Sequence, residues 1–371
     1  MPISPFQKTS PLMKRQSLAA VFRGNAGKIE LQKIPTPSPR GAEILVRVES
    51  CTLCGNDLQS FNDSRKIVEP TIPGHEIVGR IEAFGPDAPR ADASGLPLAI
   101  GMRIVWGIVA ACGECFCCQR GLTQKCLRSF KYGHQGFVEG YELVGGLAEH
   151  CLLMPGTTIV CVPDSLSLDT VTPCSCVTAT IAAALKSVDT LEGRFVLITG
   201  AGLFGLTAAA MAHSRGAAEV IMSDINPTRL YRSVRSGATR CVLPDDLAIA
   251  VSDATRGYGV DLALEVSGAS SAFESLWPQV RIGGTIALVG AVFTADAVSL
   301  SMEHIVRRNL TIRGIHNYGP DDLVQAIRFL VNYGQTYQLD TVVTKWFSLS
   351  DVQEALTAAM DPRHLRIGIR P

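Results

Sequence analysis

Four cysteines crowded into one short segment, Cys112, Cys115, Cys118 and Cys126, read C-x-x-C-x-x-C-x(7)-C, with Gly113 and Gly121 supplying tight turns between them. Four thiolates so spaced can close a tetrahedral zinc site with no open position. An iron–sulfur cluster is the competing occupant, and Cys117 stands outside the pattern. A second set is scattered: Cys54 in C-G-N-D, His75 in G-H-E, and Cys176 ahead of an apolar, helix-like stretch. Two thiolates and one imidazole leave a fourth zinc position free for water or substrate, as catalysis requires. Asp57 is suited to accept the second ring N–H of His75, and Glu76 is a carboxylate able to act from behind the ligands. The third set is Gly200-Ala201-Gly202-Leu203-Phe204-Gly205, which follows the strand-like FVLIT and opens an apolar helix. In that context the first glycine makes a tight turn, the second lets a pyrophosphate approach the backbone, and the third lets helix and strand pack closely. Asp224, 24 residues after Gly200, ends the next apolar run. A carboxylate there accepts the adenosine ribose hydroxyls and repels a 2′-phosphate, so NAD is expected over NADP.

These residues need elements to hold them. The first half of the chain reads as short strands broken by Gly and Pro, with Ile44, Val46 and Val48 alternating with Leu45, Arg47 and Glu49. From about residue 194, six apolar runs of strand length (FVLITG, EVIMSD, TRCVL, VDLALEV, GTIALVG, LTIRG) alternate with helical stretches. That alternation predicts a doubly wound parallel sheet of dinucleotide-binding size. After Pro320 the chain turns helical and ends in a strand-like RIGIRP, which we expect to return to the first domain.

Composition narrows the function. Lys plus Arg and Asp plus Glu are 34 each, so the formal charge is zero, and no block of like charge offers a footprint for nucleic acid or a membrane surface. Hydrophobic residues are 47% and charged ones 18% of 371 residues, which fits two compact domains and excludes disorder. So modest a charged surface suits subunit association, and a homodimer or homotetramer is expected. No run approaches the roughly 20 apolar residues of a membrane span, and the N-terminus lacks the apolar core of a secretory signal. We therefore expect a cytoplasmic protein whose twelve cysteines are thiols or metal ligands, not disulfides.

In combination these motifs resemble the zinc-containing medium-chain dehydrogenase/reductases, the superfamily of alcohol, sorbitol and threonine dehydrogenases. The resemblance runs from about Ser17 to Pro371 and rests on G-H-E at 74–76, the cysteine loop at 112–126, G-G-L-A-E at 145–149 and the fingerprint at 200–205. It implies an α/β fold with a GroES-like, strand-rich catalytic domain (1–177 and 321–371) and a Rossmann domain (178–320), with a zinc and nicotinamide cleft between them. By the same resemblance Cys54, His75 and Cys176 become catalytic zinc ligands, and Cys112, Cys115, Cys118 and Cys126 structural ones, giving two zinc ions per chain. Cys174 competes for the third catalytic place, but leaves Thr180 out of register with a threonine that packs against nicotinamide in the family. Arg366 matches an arginine that reaches the cofactor phosphates, and Arg229 a basic residue beside the ribose. Two positions depart from the family: Asn56 stands where Ser or Thr often passes on the substrate proton, and Gln59 where a His often completes the relay.

A finer similarity, to a subgroup associated with phosphonate metabolism, lies in QKCLRSFKYGH from Gln124, CVTATIAAAL from Cys176 and GIHNYGPDDL from Gly314. It makes Arg128, Lys131, Tyr132 and His134, together with His316, Asn317 and Tyr318, candidate donors to a dianionic substrate. The expected activity is hydride transfer between a small alcohol, such as a hydroxyalkylphosphonate, and NAD. The rivals are a polyol or amino-alcohol dehydrogenase, a zinc-free quinone or enoyl reductase on the same fold, and a noncatalytic binding protein retaining it.

Overall fold

The computed structural model describes residues 15–24, 28–62, 67–292 and 296–371. The N-terminal residues through Lys14, read above for a missing secretory core, lie outside them. Chain entry is a hairpin of β1 (Gln16–Phe22) and β2 (Ile29–Pro35). There follow β3 (Ile44–Leu53), helix α1 (Gly55–Phe61), β4 (Glu76–Phe84), β5 (Arg103–Ala110), β6 (Phe130–Lys131), β7 (His150–Leu153) and β8 (Thr157–Cys161). The short helix α2 (Leu168–Val171) and the buried α3 (Val177–Leu185) then lead into the second sheet.

That sheet consists of β9 (Phe195–Thr199), β10 (Glu219–Ser223), β11 (Arg240–Val242), β12 (Val260–Glu265), β13 (Val280–Leu288) and β14 (Thr311–Gly314), in the order β11-β10-β9-β12-β13-β14. Every pairing is parallel, so all six expected strands form. The crossovers are α4 (Leu203–Ser214), α5 (Pro227–Ser233), α6 (Leu247–Thr255), α7 (Ser270–Leu276) and α8 (Met302–Arg307). Helices on both faces explain why all six residues of β12 are buried, Asp261 and Glu265 included; Asp261 accepts the Phe195 N–H and pairs with Arg194 and Arg281, and Glu265 accepts the Ser267 and Gly268 N–H groups.

The chain returns through α9 (Pro320–Tyr333), β15 (Val343–Ser348), α10 (Val352–Ala359) and β16 (Arg366–Arg370). The terminal strand pairs antiparallel with β3 and parallel with β15, completing a sheet in the order β15-β16-β3-β4-β5-β6, to which β7 and β8 attach at β3 and β5. The tail thus rejoins the first sheet, as its sequence suggested. β3 itself departs from simple alternation, because Leu45 is buried along with Ile44 and Val46, while Arg47 is exposed and Glu49 half-buried. The expected divisions at 178 and 320 fall at the starts of α3 and α9, two helices that pack on each other. One apolar cluster runs from Val78 and Val105 through Ala179 and Leu323 to Val196 and Leu262, so the two sheets share a core where the chain crosses between them.

Candidate functional site

Strand register brings the scattered residues together. Thr52 of β3 lies opposite Glu76 of β4, and Leu53 opposite Ile367 of β16. The end of β3, the start of β4 and the start of β16 therefore meet, carrying Cys54, His75, Glu76 and Arg366 to one place. Cys176 reaches them from the turn before α3, held by the Ser175 hydroxyl, which donates to the His75 carbonyl at 3.3 Å.

One ligand atom from each of Cys54, His75, Glu76 and Cys176 lies within 4.8 Å of the others, and all four residues are buried. Cys174, the competitor of Cys176, is outside this group. The His75 imidazole is 3% exposed and neither ring nitrogen has a hydrogen-bond partner. Asp57 Oδ1 stands 3.5 Å from Nδ1, while its other oxygen accepts the Cys54 N–H at 2.9 Å. A buried ring nitrogen facing two thiols and a carboxylate is costly unless a cation occupies their common point. The donor set therefore fits zinc, which Cys54, His75 and Cys176 would hold with the Glu76 carboxylate beside them.

The titration states point the same way. The Cys176 thiol hydrogen bond holds Cys54 well below the ordinary thiol value despite burial, while the same pairing and burial push Cys176 well above it. Burial would depress His75, but Asp57 and Cys54 outweigh it and hold the ring at about 10. Burial lifts Glu76 to about 7 against the pull of Arg366.

Arg366, expected at the cofactor phosphates, borders the cavity beside this cluster and is also tied into the cluster itself. Its Nε and Nη2 donate to the two Glu76 oxygens at 3.0 and 3.2 Å, and Nη2 lies 3.8 Å from Cys54 Sγ. Glu76 also accepts the Thr52 hydroxyl at 2.5 Å. In this arrangement the guanidinium is spent on the carboxylate behind the thiolate, because both are buried and each needs the other.

The cysteine loop forms a separate cluster. Its sulfurs lie 3.4 Å (Cys112 to Cys126), 3.5 Å (Cys115 to Cys118), 3.9 Å (Cys115 to Cys126) and 4.0 Å (Cys112 to Cys118) apart, all as free thiols. Four sulfurs at about 2.3 Å from a tetrahedral ion would lie about 3.8 Å apart, so the loop is already shaped for one. The Cys118 N–H lowers Cys115 to about 6, and desolvation raises Cys118 to about 12. Among the described residues these are the two groups of metal-ligating side chains.

A cavity of about 270 Å³ opens beside the first cluster, lined by Cys54, Asn56, Cys176, Thr180, Phe204 and Arg366, and closed by Val266 to Ser267, Val289 to Val292 and Ile315 to Asn317. Thr180 is buried there, its hydroxyl donating to the Cys176 carbonyl at 2.6 Å. Next to it the glycine turn shows why its residues are glycines. Gly200 has φ +106°, and a Cβ on Gly205 would lie 1.9 Å from the Gly200 carbonyl oxygen. A Cβ on Gly202 would meet nothing within 4 Å, and α4 begins there with no side-chain cap. An open face at an uncapped helix N-terminus suits a phosphate, and Phe204 continues from it toward the cavity, whereas Leu203, expected at the cofactor, faces Val177, Leu330 and Val342 instead. Asp224 is buried at the end of β10, accepting the Ala201 N–H at 2.6 Å and the Asn226 N–H at 2.8 Å. Arg229 follows, half-buried, in the first turn of α5.

Of the substrate candidates, His316 and Asn317 line the cavity, but the group after the cysteine loop is dispersed. Arg128 turns to solvent and pairs with Glu114, since a long side chain on an exposed loop gains more from water than from a cleft. Neither it nor Lys131 of β6 borders the cavity. Tyr132 is fully buried, its hydroxyl bonded to Thr157 and the Met154 N–H. Tyr318 donates to the Ser175 carbonyl. His134 packs its ring 5.2 Å from that of His75, and burial holds it neutral, down at about 3. What the sequence did not single out is Lys125, whose ammonium reaches Nδ1 of His316. No signal marks it, because the contact joins residues 191 positions apart.

Residues 40–164 match the alcohol dehydrogenase GroES-like domain, and residues 204–332 match the zinc-binding dehydrogenase domain. The L-threonine 3-dehydrogenase of Alteromonas mediterranea is 29% identical over 332 residues, 88% of this chain and 91% of that protein. The sorbitol dehydrogenase of Bacillus subtilis is 27% identical, over 93% and 94% of the two chains. The crystal structure of an alcohol dehydrogenase from Thermotoga maritima superposes with a TM-score of 0.90 at 27% identity, covering 96% of this chain and all of that one.

Proposed function

Because the chain belongs to the zinc-containing medium-chain dehydrogenase/reductases, we propose that it is an NAD-linked alcohol dehydrogenase working in the 270 Å³ cavity beside Cys54, His75 and Cys176. The observation that carries this is that the metal-ligating cluster, Thr180 and the Phe204 end of the glycine turn share one cavity. Zinc bound there supplies Lewis-acid activation of a hydroxyl, and nicotinamide supplies the hydride acceptor.

The chain's residues supply the rest. Cys54, His75 and Cys176 hold the metal, Asp57 steadies the His75 ring, and Arg366 with Thr52 restrains Glu76. Phe204, Val266, Val289 and Ile315 keep water from the reacting atoms. Gly202 with the first turn of α4 receives the pyrophosphate, and Asp224 and Arg229 receive the ribose. Asn56 orients the hydroxyl by hydrogen bonding, because a carboxamide is a poor proton shuttle. The Cys112, Cys115, Cys118 and Cys126 loop holds a second, structural zinc. No single helix among the described residues is long and apolar enough to cross a membrane, and we place the enzyme in the cytoplasm as a homodimer or homotetramer.

For the substrate we favour a short alcohol carrying an anionic group, with hydroxyalkylphosphonates the first class to test. His316 on the cavity wall, backed by the Lys125 ammonium, supports it: an Nδ1 that accepts from Lys125 leaves Nε2–H as a donor. A polyol or amino alcohol is the second reading, favoured by the threonine and sorbitol dehydrogenase relatives. A panel followed by NADH absorbance decides between them. The expected result is higher kcat/KM for the hydroxyalkylphosphonate than for a neutral alcohol of equal length, with His316→Ala raising KM for the phosphonate alone. Equal or better use of neutral alcohols or polyols overturns the anionic substrate, and no NADH from any alcohol with zinc-replete protein overturns the dehydrogenase.

A further inference from the structure

Helix α5 and the turn after it are unlike the rest of a chain in which acids and bases balance. From Asn226 to Leu243 the sequence is NPTRLYRSVRSGATRCVL, with four arginines and no carboxylate. Arg240 lies 3.8 Å from Glu219 of the neighbouring strand. Arg232 and Arg235, three residues apart, share one face of the segment. Among the described residues neither enters an ion pair; Arg232 donates only to the carbonyl of Arg363, at 3.3 Å.

Both border a crevice of about 370 Å³ between α5 and the returning chain at 338–344 and Leu365. Leu206, Val342 and Leu365 give it an apolar floor, Ser236 and Thr344 add hydroxyls, and no Asp or Glu borders it. It shares no lining residue with the catalytic cavity. Nor does it include Gly202, Asp224 or Arg229, the residues placed at the cofactor.

Two guanidinium groups one turn apart, with hydroxyls beside them and no competing carboxylate, are suited to the oxygens of a dianion. The apolar floor asks for a compact carbon body attached to it. We propose that this crevice is a second ligand site, separate from the catalytic and cofactor sites, which binds a small phosphate monoester through Arg232 and Arg235. The ester's apolar part lies on Leu206, Val342 and Leu365. Such a ligand bridges the dinucleotide-binding half and the C-terminal segment, which meet across the crevice.

Calorimetric titration of phenyl phosphate into the zinc-loaded protein, saturated with NAD, tests the assignment. Filling the cofactor site first removes it as an alternative phosphate acceptor. One saturable site per chain is expected, weakened by salt, about tenfold weaker in Arg235→Gln, and less affected in Arg235→Lys, which keeps the charge. Inorganic phosphate should bind more weakly than phenyl phosphate. Arg235 is exposed and Arg232 half-buried, and matching thermal unfolding of the variants confirms that they fold. Absence of saturable binding to the NAD-saturated protein overturns the proposal, as does equal affinity in the Arg232→Gln/Arg235→Gln variant.

Discussion

Replacing Asp224 by Asn should change which nicotinamide cofactor the protein accepts, and the structure gives the size of the change. Both carboxylate oxygens are fixed, one by the Ala201 N–H at 2.6 Å and the other by the Asn226 N–H at 2.8 Å, so the group cannot turn away from an approaching phosphate. A carboxylate has about four lone-pair directions, which leaves roughly two for the ribose hydroxyls. A 2′-phosphate on that ribose would sit roughly 5 Å from the charge. At an effective dielectric constant of about 20 the repulsion is then about 3 kcal/mol per unit of phosphate charge. Arg229 and dissolved salt offset part of it, leaving roughly 2 to 3 kcal/mol, or about 30- to 150-fold in favour of NAD. Asp224→Asn keeps the shape, removes the charge and should collapse most of that ratio. It should also cost about 1 to 3 kcal/mol of stability, since an amide cannot accept from both N–H groups. Steady-state kcat/KM for NAD and NADP, measured on both proteins at two ionic strengths, provides the comparison. A wild-type preference below about threefold, or a ratio unchanged in the variant, would refute the reasoning.

Zinc uptake at Cys54, His75 and Cys176 should release protons, because His75 stays protonated to about 10 and Cys176 keeps its thiol proton well above the ordinary value. Affinity should therefore climb as pH is raised from about 6 to 9, read from calorimetric enthalpies in buffers of different ionisation heat, and a pH-independent affinity contradicts it. Arg366→Ala leaves the fully buried Glu76 carboxylate without its cation and should cost about 3 to 5 kcal/mol in urea unfolding at pH 8.5, with zinc held constant. The cost should shrink at pH 6. In the folded protein Glu76 titrates at about 7, above the ordinary carboxylate value, so below 7 it becomes neutral and the loss of Arg366 no longer leaves a buried unpaired charge. A loss below about 1 kcal/mol at pH 8.5 means the pair is not what restrains Glu76.

The dinucleotide-binding half was legible because its information is local. A run such as FVLI at the start of β9 is apolar throughout only where both faces of a strand are covered, and a glycine fingerprint between strand and helix encodes backbone geometry that only glycine permits. The cysteine loop was legible for the same reason: its four sulfurs lie within fifteen residues, and chain connectivity alone keeps them near one another. The substrate side was not. Arg128 and Tyr132 follow the loop closely in sequence, yet one is turned to water and the other is locked in the core. Meanwhile Lys125, unremarkable in sequence, stands against a histidine from just past β14.

What the sequence by itself determined, then, is the class of fold, the cysteine loop as one cluster of metal-binding type, and the glycine turn with its acidic neighbour. Tertiary structure decided which cations face which anions. Arg366 is paired with Glu76 because β16 returns to lie beside β3, setting Ile367 opposite Leu53 while Thr52 sits opposite Glu76. That pairing spans 290 residues, a separation over which neither periodicity nor spacing carries information. Only the register of three strands fixes it, and a one-residue slip in any of them would turn these side chains to the opposite face.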